Sequence, residues 1–453
     1  MTTLVSILNK RAAVIAADSA VTFSNQTDEI KTYNSANKIF RLSEYHPVGI
    51  MIYNNAEFMG TPWDIIIKLY RKQLGKKNLN TLKDFVFDFK SFLYDKNFFC
   101  DDNQQHEFLN EVIKCLYYNL ITNCVKLIKN NSFSYTSDIP NSVLIQTMKN
   151  QLETLNESYE KNFATSQEFV SYKYESFISY VDNSSSPLFI KDSLLLDPEI
   201  KNLFFKYIYN VFIREQLTYN YTGLVFVGYG EQDIFPKIVS FDVTVGFDNR
   251  LCCKINSPKA WEISHRNKAL ILPFAQTQTI QTIIEGIDPN FRKKIENETN
   301  KAIDRNQKML LTEIQKKILE GLSFTNFNTS NDNQIRNIVQ RVVEQESNDL
   351  KLDELKNSLL QYWKQNLISY IQDKHLTGLY DSLEGMSYDD IAKLAESFIN
   401  LTNLKKKMTS SREDVGGPID VAIISKDEGF IWIKQKHYFD ENLNPHFFRK
   451  YNH

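Results

Sequence analysis

A threonine at the start of a chain can serve as nucleophile and base at once. Thr2 follows the initiator Met1. Methionine aminopeptidases remove Met before small residues, so maturation is expected to expose Thr2 as residue one. Its hydroxyl can then attack a carbonyl while its own α-amine, ordinarily titrating near ~7.7–8.0, takes the proton. An internal threonine hydroxyl is too weakly acidic to do this unaided. The five cysteines (Cys100, Cys115, Cys124, Cys252, Cys253) are odd in number and lack C-x-x-C spacing. They read as free thiols of a reducing cytosol, so neither a zinc site nor a disulfide framework is expected, and no cofactor is implied.

The elements that must position Thr2 are short strands. Leu4–Leu8 is an apolar run, Asn9-Lys10-Arg11 a turn, and Ala12–Ala17 a second run of small and β-branched residues ending on Asp18-Ser19. Together they predict a hairpin buried on both faces. A polar loop is expected from Ser24 to Asn37, followed by strands over 38–42 and 48–53. From Glu57 the period becomes helical, with Trp63, Ile66, Ile67 and Tyr70 on one face. Residues 79–217 show aromatic-rich helical pattern, including Phe85, Phe89, Phe92 and Leu93, best explained by helix packing. Asn183–Pro187 is the best internal break. Strands return over 222–256 and 269–275, a helix opens near Thr279, and 289–380 is helical and charged. Ser387-x-x-Asp390 starts a further helix in the manner of a capping box. Strands over 419–424 and 429–434 close the pattern.

Composition narrows the function classes. Lys and Arg number 53 against 55 Asp and Glu, so no strong field draws the chain to nucleic acid or an anionic membrane. No apolar run approaches the ~20 residues that span a bilayer, and Asn9, Lys10 and Arg11 interrupt the only candidate secretory core. A cytoplasmic location is expected. Hydrophobic residues at 42% with 24% charged suit a globular chain.

The opening TTLVSILNKRAAVIAADS resembles that of proteasome β-subunits and their two-component bacterial peptidase relative, members of the N-terminal-nucleophile (Ntn) hydrolases. Asp18 lies sixteen residues after Thr2, the family's spacing, and Lys38 matches the family's lysine before a short strand. The resemblance implies that Thr2 is the nucleophile, that Asp18 orients the lysine, and that Lys38 lowers the proton affinity of the Thr2 site. The physics agrees, since an ammonium beside a hydroxyl favours its deprotonated state. Tyr53 stands where the family has the glycine whose backbone N–H binds the oxyanion, and any residue but proline keeps that donor. Met51 falls at the base of the family's substrate pocket, or is a core strand residue. Further on, Ala275-Gln276-Thr277-Gln278 occupies the place of a Ser/Gly-rich catalytic turn. There Thr277 either supplies the missing hydroxyl or starts a helix. Asp414, before Val415-Gly416-Gly417, resembles the family's aspartate displaced by two positions; it has shifted to serve the site or that support is lost.

By resemblance the fold is α+β, a four-layer αββα sandwich of two antiparallel sheets with helical insertions. The expected domains are a core first half at 2–78, a helical insertion at 79–217, a second sheet and helix at 218–288, a second insertion at 289–384, final core elements at 385–435 and a tail at 436–453. Peptide or protein substrates, a homo-oligomer and a possible ATPase or regulatory partner are implied. Phe85, Phe89, Phe92, Tyr117 and Tyr118 point to a new interface on the first insertion. Three functions follow: a threonine-type peptidase, a non-peptidase amidase, and a catalytically impaired scaffold or sensor.

Overall fold

The computed structural model describes residues 2–24, 30–33, 36–131, 139–182, 197–214, 221–323, 337–343, 352–409 and 416–437, with 439, 443 and 444. Asp414 and the Asn183–Pro187 break lie outside them. The chain divides into two units, 1–276 with 383–453, and 277–382.

In the first unit the strands are β1 (Thr3–Asn9), β2 (Ala12–Asp18), β3 (Val21–Ser24), β4 (Ile30–Tyr33), β5 (Ile39–Arg41), β6 (Val48–Asn54), β7 (Glu57–Phe58), β8 (Thr61–Pro62), β9 (Thr222–Gly228), β10 (Lys237–Phe247), β11 (Arg250–Asn256), β12 (Ala269–Ala275), β13 (Ile419–Ser425) and β14 (Gly429–Lys434). Every pairing among them is antiparallel. One five-stranded sheet runs β12-β1-β2-β13-β14 and the other β11-β10-β9-β6-β5. The chain is therefore α+β.

The two sheets share a core. Leu4, Ala13, Ile15 and Ala17 of the first meet Ile39, Met51, Val225 and Val227 of the second. Their approach is close enough at Gly49 that a Cβ there would lie 2.8 Å from Ile424 and 3.1 Å from Ile15. Small residues have the same use on the outer face. β2 is buried along its whole length, and its alanines let the helix Tyr388–Thr409 lie against β1, β2 and β13. The β1–β2 turn is fixed by Asn9, whose Oδ1 accepts from the N–H groups of Arg11 and Ala12 at 2.9 and 3.1 Å.

On the far side of the second sheet, the helix Leu82–Asp95 packs on β9 and β10. Thr81 and Asp84 form a reciprocal capping box at its start. Phe89 sits edge-on to Phe226 and Phe241, at 5.5 and 6.4 Å between ring centres. The described residues of 79–214 join this core rather than standing apart. Phe85, Phe89, Phe92 and Tyr117 are buried in it, and of the five aromatics expected to build an interface only Tyr118 is exposed. That expectation loses its basis: the rings are already partnered.

Three other readings change. The polar loop after Ser24 includes the second strand of a hairpin, β3–β4, whose first strand, Val21-Thr22-Phe23-Ser24, alternates apolar and polar residues over four positions. The helix expected from Glu57 begins at Trp63, after the small β7–β8 hairpin. The helix Gln278–Glu285, assigned with the strands, groups with the second unit. By contrast Ser387 and Asp390 do cap their helix, with Asp390 N–H on Ser387 Oγ at 3.3 Å.

The second unit is helical. Its long helix Pro289–Ser323 runs antiparallel to Leu352–Ile371, joined by the pairs Asp304–Lys356 and Glu296–Lys364. No helix among the described residues is long and apolar enough to cross a membrane. No group of three or more His, Cys, Asp or Glu among them converges to hold a metal.

Candidate functional site

Thr2 leads directly into β1, and its carbonyl accepts from the Gln276 N–H at 3.3 Å. That bond continues the β1–β12 ladder, in which Thr3 faces Ala275. Ala275 has a φ of 60°, a left-handed conformation uncommon for a residue with a Cβ. The chain therefore turns sharply beside Thr2.

Asp18 ends β2 next to that start, one strand away. Its Oδ1 accepts from the Thr3 N–H at 2.8 Å and from the Lys38 ammonium, also at 2.8 Å. Its Oδ2 accepts from the Gly416 N–H at 3.4 Å. Lys38 arrives from the other sheet, just before β5, and its ammonium also donates to the Ala20 carbonyl at 2.5 Å. The pair is deeply buried, with side chains 5% and 0% exposed. Burial pushes the Lys38 pKa below its ordinary value, and the Asp18 charge and hydrogen bond only partly oppose it.

Three of the sequence-derived residues thus converge. Thr2 and Lys38 line one cavity of about 200 Å³ together with Asn37, Tyr53, Asn54 and Trp63. Glu57 and Asp64 add carboxylates to its wall. Met51 is fully buried between the sheets and does not line the cavity. Thr277 precedes the helix Gln278–Glu285 without a side-chain cap bond.

Tyr53 presents an arrangement that neighbouring sequence does not foretell. It pairs with Gly223 on β9, and its ring lies across that glycine. A Cβ on Gly223 would sit 2.0 Å from the ring's Cζ. The hydroxyl passes over β9 to β10 and donates to Asp242 Oδ1 at 3.1 Å. Ser240 Oγ and Asn256 Nδ2 also donate to Asp242, at 3.0 and 3.4 Å. Burial raises the pKa values of both Tyr53 and Asp242. The ring packs against Phe274 and Tyr221.

The backbone of β6 decides which N–H faces the cavity. Ile52 N–H donates to the Lys38 carbonyl at 2.8 Å. Alternation along a paired strand then turns the Tyr53 N–H toward β9, and the Asn54 N–H back toward the Lys38 side. Asn54 has a φ of 68°, a left-handed conformation that asparagine tolerates. By that alternation the N–H on the Lys38 side at the end of β6 is that of Asn54.

Sequence reasoning also missed Asp420 and Lys436, a second buried ion pair. Asp420 could have been noticed as a charge inside the apolar run Ile419-Asp420-Val421-Ala422. No protein-family model matches this chain, and no curated protein sequence matches it significantly.

Proposed function

We propose that this chain is a threonine-type N-terminal-nucleophile hydrolase that cleaves amide bonds through an acyl-enzyme on Thr2 once Met1 is removed. The observation that carries the reading is the buried Asp18–Lys38 pair, anchored to the Thr3 N–H, with its Lys38 lining one cavity beside Thr2. A buried ion pair is costly to build and apolar residues often replace it without loss, so its place beside a candidate terminal nucleophile supports a chemical use. The helix, sheet, sheet, helix order supports the αββα sandwich of that hydrolase class as the scaffold, with 79–217 and 289–384 as insertions.

In this reading Thr2 Oγ attacks the substrate carbonyl as its proton passes to the Thr2 α-amine. The Lys38 ammonium stabilises the charge that develops on Oγ. The oxyanion accepts from the backbone N–H at the end of β6, that of Asn54. The protonated α-amine then gives its proton to the leaving amine as the carbon–nitrogen bond breaks. Water, activated by the same amine, hydrolyses the ester and frees Thr2. Peptide substrates, a homo-oligomer, a regulatory ATPase and a cytoplasmic location are part of the same proposal by family likeness.

The cavity favours a second version of the chemistry. About 200 Å³ is below the ~300–1,000 Å³ of ordinary ligand sites, which suits one side chain or a small acyl group. A small-molecule or side-chain amidase therefore stands beside the peptidase. Both are tested by treating the full chain with a peptide epoxyketone and mapping the adduct. A morpholine-type adduct on Thr2, absent in Thr2→Ala, is expected. Retention of Met1, or labelling unchanged in Thr2→Ala, refutes the nucleophile and returns the fold to a scaffold.

A further inference from the structure

A second ion pair lies beside the first, and the chemistry above gives it no role. Asp420 stands on β13 directly opposite Ala17, one residue from Asp18. Ala17, Ala422 and Ile424 all face the core between the sheets, so strand alternation turns Asp420 into the same inter-sheet space that receives Lys38. Its residue is 3% exposed. Lys436, just past β14, closes on it twice. The backbone N–H of Lys436 donates to Asp420 Oδ1 at 2.8 Å, and its ammonium pairs with Oδ2. The two side chains are 10% and 4% exposed. A charge in an apolar strand, matched by a lysine brought from another element, is a poor way to gain stability. It is an effective way to place a charge.

We propose that Asp420 and Lys436 are positioning residues for the Thr2 site, which act through space on the Lys38 ammonium and set the upper pH limit of acylation. The inference rests on the nucleophile reading and adds two residues that the terminal motif does not contain. Lys436 repels the Lys38 proton and Asp420 holds it; the repulsion is the larger of the two influences. Among the described residues Lys38 also meets Asp18 on β2, and shares its cavity with the Thr2 amine once it is free and with the carboxylates of Glu57 and Asp64. None of these changes when Asp420 or Lys436 is replaced.

The signs give a test that a structural role would not pass. In the full chain, the epoxyketone labelling rate is measured against pH for wild type, Lys436→Met, Asp420→Asn and the double variant. In parallel the Lys38 ammonium is titrated directly by ¹³Cε-lysine NMR, assigned by its loss in Lys38→Met. Lys436→Met is expected to move both the Lys38 titration and the basic limb of labelling upward, and Asp420→Asn to move both downward. Each shift is expected to be about half a pH unit or more, the scale of one unit charge at partly screened range. Should a single variant fail to fold, the uncharged double variant keeps the test open, with an upward shift smaller than that of Lys436→Met. Shifts of one sign, or none in folded variants, overturn the assignment. Lys38 titrations that move as stated in a chain that never labels would remove the nucleophile reading alone.

Discussion

Removing either partner of the Asp18–Lys38 pair should destabilise the first unit, and the two losses should be unequal. Asp18 accepts from three donors: the Lys38 ammonium, the Thr3 N–H and the Gly416 N–H. Lys38 donates to two acceptors, Asp18 and the Ala20 carbonyl. In Lys38→Met the carboxylate keeps both backbone donors. In Asp18→Ala two N–H groups lose this acceptor at once, and the ammonium loses its counter-charge and keeps only the Ala20 carbonyl. Breaking a buried pair costs about 3–5 kcal/mol, and each orphaned buried donor about 1–3 kcal/mol. Lys38→Met should therefore fall near 3 kcal/mol and Asp18→Ala at 5 kcal/mol or above, a gap of about 2 kcal/mol. Urea unfolding at pH 7, fitted by linear extrapolation on signals from the buried Trp63 region, reads this gap directly. Epoxyketone labelling should drop at least about 100-fold in both. A Lys38→Met variant as unstable as Asp18→Ala would refute the reasoning, because Asp18 would then owe its place to the lysine alone.

Three further outcomes are expected. Lys38 carries a folded-state pKa below its ordinary 10.5, so between those values the unfolded chain binds more protons; stability relative to Lys38→Met should rise with pH across that window and level off on either side, as urea midpoints over pH 7–11 would show. Gly223→Ala should cost about 1–3 kcal/mol because its Cβ enters the Tyr53 ring, and most of that cost should vanish in a Tyr53→Ala background; an equal penalty in both backgrounds would place the strain elsewhere. Phe89→Ala, which empties the contact with Phe226 and Phe241, should cost about 3–5 kcal/mol in thermal or urea unfolding, and a near-neutral result would remove Phe89 from the core.

What could be read along the chain was local. The β1–β2 hairpin was legible because apolar runs of strand length flank a turn with its own Asx bonds. Asp18 was legible because it closes a strand sixteen residues after Thr2, and Lys38 because it stands just before a short strand, though after a loop about four residues longer than in the motif it resembles. The β3–β4 hairpin was not, since the alternation Val21-Thr22-Phe23-Ser24 is only four residues long and runs straight into a polar stretch. Phe85, Phe89, Phe92 and Tyr117 were correctly read as helical, but their burial removes them as an exposed interface. Periodicity says which rings share a face, not whether a sheet already covers it. Tyr53, Gly223 and Asp242 belong to three strands far apart in sequence, and only the register of β6, β9 and β10 makes them one network.

The same limit explains why the site is larger than its motif. Thr2, Asp18 and Lys38 come from the opening of the chain, and the strands that carry them fold back within forty residues. The residues that complete their surroundings come from β9, β10 and β13, which reach the site only after the long helical segments. A nucleophile needs a fixed base and a fixed charge, and those can be encoded locally. The dielectric around them cannot. Burial lowers the Lys38 pKa and comes from the two sheets closing on each other at Gly49, while β13 lays Asp420 beside Ala17, a charge that opposes the shift. The titration of Lys38 is thus shaped by strands from the end of the chain as well as by those at its start.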